Sequence, residues 1–220
     1  MNLRMNQILD GIRLDPTDQC YFLGEYQAGA TYEKGGTNQF ISNLKADLSQ
    51  KPQRAYYKNQ AIGEAINQFA AVINPEAIGE TTFIPMPGSK PRGHVAYDDR
   101  MVRIVAGLAA KFGPTFDGRP VIVTTQERVA QHQVAGQHRV TVAELSATIS
   151  LDAGQLSAPL RPNVVLVDDV FTLGTSFKAA QQLLLQRPEV KQVWGLFLAR
   201  TVWPPQVEGV DLSQFLSSLK

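Results

Sequence analysis

Apolar residues recur along this chain in two patterns, short unbroken runs and stripes with helical spacing. An unbroken run is typical of a strand covered on both faces, whereas a stripe spaced by three or four residues is typical of a helix. The runs occupy residues 21–23, 83–86, 121–123, 164–167 and 193–199. The stripes occupy residues 40–48, 62–73, 101–112 and 177–184. Their alternation from Thr81 onward predicts an α/β fold, in which helices flank a parallel sheet with right-handed crossovers.

Turn-forming residues separate these elements. Pro75, the pair 113–114 (Gly-Pro) and Pro188 each follow a predicted helix, because proline and glycine interrupt helical hydrogen bonding. An acidic residue at Asp98 or Asp99 marks the start of the helix at 101–112. Residues 126–162 carry neither pattern, so we expect them to be polar and irregular.

Composition places the chain among globular proteins. Its 220 residues suffice for one substantial core, and 44% of them are hydrophobic. Cys20 is the only cysteine, which excludes an internal disulfide and a cysteine-rich zinc site. The formal charge of +1 provides no general attraction to nucleic acid or acidic membranes. Residues 1–10 lack the apolar core of a signal peptide and no stretch could span a bilayer, so we expect a cytoplasmic location.

The most informative chemistry lies in residues 163–176. An apolar run ends in Asp168 and Asp169, and the Thr/Gly/Ser loop 172–176 follows before a helical stripe. Ligands of open α/β sheets bind beyond the carboxyl ends of the strands, and free N–H groups at a helix start attract phosphate. Two hydroxyl-accepting carboxylates beside an anion cradle therefore indicate a site for a sugar phosphate.

Two simpler interpretations of this segment stay open. Paired acids after a strand also occur in metal-dependent receiver domains, and Thr175 or Ser176 could cap a helix without binding a ligand. A dinucleotide site or a P-loop is not indicated, because the chain has no Gly-x-Gly-x-x-Gly after a strand and no Walker A sequence.

The segment 163–176 resembles the 5-phosphoribosyl-1-pyrophosphate (PRPP) signature of type I phosphoribosyltransferases, an apolar run followed by paired acids and a Thr/Gly-rich loop. The resemblance implies that Asp168 and Asp169 hydrogen-bond the ribose hydroxyls and act in catalysis, while the loop wraps the 5′-phosphate. The loop residues are Thr172, Leu173, Gly174, Thr175 and Ser176. Leu173 departs from the pattern, which usually has a small or hydroxylated residue there, although a contact through its backbone N–H would tolerate the change.

The loop at residues 87–94 is similar to the pyrophosphate loop of the same family. Backbone N–H groups and two cations would meet the diphosphate, and arginine suits phosphate oxygens through its planar fork. The implied binding residues are Gly88, Ser89, Lys90 and Arg92. A solvated surface loop is the simpler alternative for a segment with two cations.

The segment 126–139 stands where the family carries a mobile active-site loop. Such lids exclude water and complete a site when they close. Its arginines, Arg128 and Arg139, are candidate catalytic residues that would act on developing charge, whereas no role is assigned to His132 or His138. A solvated hairpin is the alternative.

Residues 198–201 and 41–45, together with the two loops above, are similar to the ComF branch of this family, which is associated with DNA uptake in bacteria. The similarity extends over roughly residues 40–203, and Arg200 would face the base or the pyrophosphate region, or would simply end a strand. ComF-type chains often begin with a cysteine-rich zinc module, which is not present in this sequence.

The resemblance implies three regions within one compact unit: a hood with a flanking helix at 1–80, a phosphoribosyltransferase-like core at 81–201 and an extension at 202–220. It implies binding of PRPP with Mg²⁺ and transfer of the phosphoribosyl group to a nitrogenous acceptor, with release of pyrophosphate. The alternatives are a regulator that senses PRPP or a nucleotide, and an interaction protein of DNA uptake or processing. We expect no membrane partner, and a homodimer is compatible with this scheme.

Overall fold

A six-stranded sheet forms the centre of the protein, in a computed structural model that describes residues 3–5, 12–29, 36–127 and 140–203. The strands are β1 (Arg4–Met5), β2 (Cys20–Gln27), β3 (Thr81–Pro85), β4 (Asp117–Gly118), β5 (Ile122–Thr124), β6 (Ile149–Leu151), β7 (Asn163–Phe171) and β8 (Gln192–Val202). The helices are α1 (Gly36–Leu44), α2 (Ala55–Ala70), α3 (Arg100–Phe112), α4 (Val142–Ser146) and α5 (Thr175–Leu184). The predicted α/β class is confirmed.

The order of strands in the central sheet is β1-β2-β8-β7-β3-β4. All neighbours run parallel except β1, which pairs antiparallel with β2 at one edge. Strands β7 and β8 lie in the middle, which agrees with their long apolar runs, because a central parallel strand is buried on both faces. Strand β2, from the N-terminal part of the chain, joins this sheet next to β8.

Two apolar cores lie on opposite faces of the sheet. Alternate residues of β7 divide between them, so Val164 and Leu166 enter one core while Val165 and Val167 enter the other. Helices α4 and α5, with β5 and β6, cover the first core, and helices α1, α2 and α3 cover the second. None of the helices within the described ranges is long and apolar enough to cross a membrane.

The expectation that residues 121–123 form a strand of the parallel sheet is wrong. Ile122–Thr124 instead pairs antiparallel with Ile149–Leu151 in a separate two-stranded sheet. The position beside β3 belongs to Asp117–Gly118, where the Asp117 carboxylate accepts a hydrogen bond from the Thr82 hydroxyl at 2.7 Å. Because β4 has only two residues and is held by a polar side chain, the sequence contains no apolar run that would predict it.

The segment 126–162 is more regular than its sequence predicts. It contains α4, which begins with a capping box: the Thr141 hydroxyl accepts the Glu144 N–H, and the Glu144 carboxylate accepts the Thr141 N–H. Strand β6 follows directly after this helix. Both elements are too short for a periodic pattern to develop, so capping and pairing, not periodicity, define them.

Candidate functional site

Asp168 and Asp169 lie where the central sheet begins to open. Strand β3 stops pairing with β7 at Val167, whereas β8 continues beside β7 as far as Phe171. The sequence predicted that the strand would end at Val167, but this continued pairing extends it past both carboxylates. The two acids are therefore fixed by a strand backbone at the carboxyl end of β3, the place where open α/β sheets bind ligands.

The two carboxylates differ in their surroundings. Asp169 is 3% exposed and faces α1 and α3, while Asp168 is half-buried. One oxygen of Asp168 accepts the backbone N–H of Asp169 at 2.8 Å, and no ion pair of Asp168 is seen among the described residues. Adjacent acids on one strand thus have unequal access to a ligand.

A network of alternating charges surrounds Asp169. Arg100, the first residue of α3, donates to Asp169 Oδ2 from Nε at 2.8 Å and from Nη2 at 2.5 Å. Lys45, just after α1, places Nζ 3.1 Å from Asp169 Oδ1. Arg100 also contacts Asp98, whose carboxylate lies 2.9 Å from Lys58 Nζ. The side chain of Lys58 is only 5% exposed, so this end of the network is buried in the protein.

These charges shift the pKa values of the two acids in opposite directions. Burial and the neighbouring Asp169 charge raise the pKa of Asp168 to about 7. Burial alone would also raise the pKa of Asp169, but the charges of Arg100 and Lys45 outweigh it and hold that pKa well below its usual range. Asp168 is therefore the carboxyl group that gains or loses its proton near neutral pH.

Residues 172–174 connect β7 to α5 through a left-handed residue, and Thr175 and Ser176 begin the helix. Gly174 has φ +83°, and a Cβ atom there would lie 3.2 Å from both Leu14 and Phe171. The Leu173 carbonyl accepts the Arg13 N–H at 2.7 Å, which attaches the loop to the N-terminal segment. Helix α5 starts at Thr175 with no side-chain cap among the described residues. The N–H groups of its first turn are consequently suited to binding an anion.

The Thr172 side chain contacts the neighbouring strand β8. Its hydroxyl is 3.3 Å from the hydroxyl of Thr201 on β8. Thr175 is buried, whereas Ser176 is partly exposed at the same helix start. The structure thus brings the loop residues that the sequence predicted, 172–176, to the strand end that carries the two acids.

Both cations of the loop 87–94 are paired with carboxylates. Lys90 contacts Glu127, which immediately precedes the segment 128–139, and Arg92 Nη1 donates to Asp152 Oδ2 at 2.7 Å. The carbonyl of Gly88 accepts a hydrogen bond from the Thr124 hydroxyl at 2.6 Å, which holds the loop against β5. Any anion that binds Lys90 or Arg92 must therefore compete with a carboxylate.

A small cleft lies beneath this loop. The side chains around it come from the loop itself, from the segment before α3, from α3 and from β5, and include Lys90, Arg92, Tyr97, Val102 and Thr124. Ser89 is partly exposed within the same loop. The cleft adjoins Pro85 at the carboxyl end of β3, so it lies on the side of the sheet that carries the paired acids.

Arg200 does not follow the last strand, as the sequence predicted, because β8 continues to Val202. Its Nη2 donates to Glu25 Oε1 on β2 at 3.2 Å, and its guanidinium lies 4.8 Å from the centre of the Phe22 ring. Its Nε atom is buried and has no hydrogen-bond partner within the described part of the chain. The structure thus places Arg200 beside β2.

The predicted catalytic residues Arg128 and Arg139 lie outside the described residues, as does most of the segment 126–139. Their assignment stays a prediction from sequence. Within the described ranges, no group of three or more His, Cys, Asp or Glu side chains is arranged to hold a metal ion.

The network around Asp169 was missed by reasoning from sequence. A signal for Arg100 was present, because a cation in the first turn of a helix opposes the helix dipole and needs a nearby anion. Lys45 belongs to the segment 41–45 that carried part of the resemblance, but nothing local points it to Asp169. Lys58 looks like an ordinary polar residue of a helix.

No known family profile matches the chain. Over 80 residues, it is 32% identical to an orotate phosphoribosyltransferase of Photorhabdus laumondii. This segment is 34% of the present chain and 35% of that protein, so the chain spans about a third of the length of its relative. The similarity indicates a distant phosphoribosyltransferase-like relationship, and the mostly parallel sheet flanked by helices agrees with it.

Proposed function

We propose that the protein binds PRPP and transfers its phosphoribosyl group to a nitrogenous acceptor, releasing pyrophosphate. One observation carries the proposal: the Asp168–Asp169 pair, the left-handed turn at Gly174 and the start of α5 follow one another at the end of a single central strand. The partial similarity to an orotate phosphoribosyltransferase supports the same class of reaction.

The ribose 5-phosphate part of the ligand spans this strand end. The 5′-phosphate accepts hydrogen bonds from the N–H groups of residues 172–176, where the helix dipole also favours negative charge. The ribose hydroxyls donate to the acidic end of this strand, where Asp168 is the more accessible of the two carboxylates and the strand backbone holds it in place. A sugar and its phosphate are thereby bound by adjacent residues of one segment.

The diphosphate extends toward the loop 87–94. Lys90 and Arg92 exchange their carboxylate partners, Glu127 and Asp152, for diphosphate oxygens, and both pairs are exposed enough for this exchange to cost little. Magnesium belongs to the substrate in this scheme: bound to the diphosphate, it neutralises part of the charge on those oxygens.

In the transfer step, the bond between the anomeric carbon and the diphosphate oxygen breaks, and a bond to the acceptor nitrogen forms. The electron pair of the broken bond leaves with pyrophosphate, and the acceptor nitrogen loses a proton to solvent. The anomeric carbon becomes positive in the transition state, and the carboxylates near the ribose stabilise that charge. Donors around the diphosphate stabilise the leaving group.

A PRPP-sensing regulator without transferase activity is the second candidate. The pairing of Lys90 with Glu127 and of Arg92 with Asp152 favours it, because neither cation is ready for a leaving diphosphate until its carboxylate pair has opened. A sensor needs only the ribose 5-phosphate cradle, which does not depend on either cation.

The test combines binding with turnover. Calorimetry of Mg²⁺-PRPP should show binding that weakens at least tenfold in the double variant Asp168→Asn/Asp169→Asn, since hydrogen bonds to charged groups contribute about 1.5–3 kcal/mol each. Pyrophosphate release is then measured with a panel of nitrogenous bases that includes orotate. Binding with release supports the enzyme, and binding without release for any acceptor supports the sensor. Unchanged affinity in the folded double variant would contradict both.

A further inference from the structure

The oxygens of Asp169 are already engaged. A carboxylate offers about four lone-pair positions, and Asp169 uses two for Arg100 and one for Lys45. Its side chain is only 5% exposed, which leaves little room for a sugar hydroxyl. Asp168 differs, because the hydrogen bond that it accepts among the described residues comes from the adjacent backbone N–H, and the residue is half-buried.

The charge network around Asp169 reaches all three helices on that face of the sheet, directly through Lys45 and Arg100 and indirectly through Lys58. Lys45 follows α1, Lys58 belongs to α2, and Arg100 begins α3. Lys58 donates to the Ala46 carbonyl at 2.9 Å and pairs with Asp98, the second anion of Arg100. Ion pairs thus connect the strand end that carries the two acids to the end of α1 and to α3, and through Asp98 to α2.

We propose that the two carboxylates have different roles. Asp168 is the group that contacts the ligand, and Asp169 is its anchor, with Arg100 as a positioning residue that acts through Asp169. This inference rests on the proposed binding of PRPP. It assigns a role to Arg100 and Lys45, which contact Asp169 and belong to neither of the two predicted loops.

The shape of the Arg100 side chain explains why arginine is required. Two N–H groups bind one oxygen of Asp169 while a third nitrogen binds Asp98, and a lysine cannot provide this planar fork. Without Arg100, only Lys45 would compensate the buried Asp169 charge. The pair would then hold a proton to higher pH, and the part of β7 that carries Asp168 would lose its tie to α3.

The experiment compares Arg100→Gln with Arg103→Gln as the matched control. Arg103 lies on the same helix, is 40% exposed and donates to Asn59. We expect Arg100→Gln to weaken Mg²⁺-PRPP binding about tenfold or more, since two charged hydrogen bonds to the anchor are lost, and Arg103→Gln to leave it within about twofold. Arg100→Lys should fall between them, and it serves as the test if Arg100→Gln does not fold.

A double-variant cycle separates positioning from direct contact. In an Asp169→Asn background, Arg100→Gln should change the affinity less than about twofold, because the residue through which it acts is already altered. An equally large loss in both backgrounds would overturn the inference, since Arg100 would then act on the ligand or on the fold.

A second measurement needs no ligand. Carbon-13 NMR titration of the Asp168 and Asp169 carboxyl groups should show the upper midpoint of the pair rising by about one pH unit in Arg100→Gln. Among the described residues, the charged groups facing the pair are Lys45, which follows α1, Arg100 at the start of α3, and Asp98, which precedes α3. Arg103→Gln should therefore leave that midpoint in place. An unchanged midpoint in Arg100→Gln would overturn the anchor role.

The binding and NMR experiments give a different combination of results if the proposed function is wrong. If the wild-type protein does not bind Mg²⁺-PRPP, the proposed function and the ligand-contacting role of Asp168 both fail. The NMR midpoint would still decide whether Arg100 controls the carboxylate pair.

Discussion

At the scale of single residues, Gly174 determines how the chain turns from the central strand β7 to helix α5. Its φ of +83° lies in the left-handed region, where a side chain strains the backbone, and a Cβ would also press on Leu14 and Phe171. We expect Gly174→Ala to lower the free energy of unfolding by about 1–2 kcal/mol, measured by urea denaturation. The same variant should weaken PRPP binding, because the loop cannot keep its turn.

A glycine in ordinary helical conformation provides the control. Gly63 lies inside α2, and a Cβ there would meet nothing within 4 Å. Gly63→Ala should therefore raise the free energy of unfolding by about 0.5–1 kcal/mol through helix propensity. If the two variants change stability in the same direction, backbone strain at Gly174 is not the cause.

At the scale of elements, Lys178 attaches the segment before β2 to helix α5. Its ammonium lies 2.8 Å from carboxylate oxygens of both Asp15 and Asp18, and the Asp18 side chain is 2% exposed. Burial alone would raise the pKa of Asp18, but its bonds with Lys178, with the Asp15 backbone and with Gln181 hold the pKa below its usual range. The position of the N-terminal segment thus depends on a charge of α5.

Replacement of this lysine tests the attachment. Lys178→Met should lower the free energy of unfolding by about 2–3 kcal/mol at pH 7, because Asp18 keeps a buried charge without its cation. Lys111→Met is the control on α3, where the exposed ammonium donates to the Asn67 amide oxygen at 3.2 Å and has no carboxylate partner within the described ranges. That change should stay within about 0.5 kcal/mol, and equal losses in both variants would speak against the attachment.

At the scale of the whole molecule, the carboxylate pair makes stability depend on pH in two directions. The pKa of Asp168 is raised in the folded state to about 7, so its protonation stabilises the fold, and this contribution is lost as pH rises through neutrality. The pKa values of Asp169 and Asp18 are lowered, so their contribution is present at neutral pH and lost in acid. Stability should therefore be greatest at mildly acidic pH.

Urea denaturation across the pH range checks this profile. In the wild type, the free energy of unfolding should rise as pH falls from about 8 to about 5, and decline below about 4. Asp168→Asn should flatten the upper part of the profile and keep the decline in acid. A wild-type profile that rises steadily from pH 5 to pH 8 would contradict the raised pKa of Asp168.

Much of the fold could be predicted from the chain alone. Strands β3, β7 and β8 were found from their apolar runs, and α2, α3 and α5 from their stripes, since both patterns record which side of an element is buried. The candidate site was found in part for a related reason: Asp168, Asp169 and the loop 172–176 are contiguous, and a strand followed by a helix brings such residues together locally.

The sequence by itself determined the class of fold and the segment that carries the paired acids. Only the tertiary structure decided that Ile122–Thr124 leaves the central sheet, that Arg200 pairs with Glu25 on β2, and that Lys45 and Arg100 enclose Asp169. The physical reason is that the two kinds of information act over different distances along the chain. Periodicity reports burial within a single element, whereas the pairing of strand edges and charges depends on which distant segments meet once both faces of the sheet are covered.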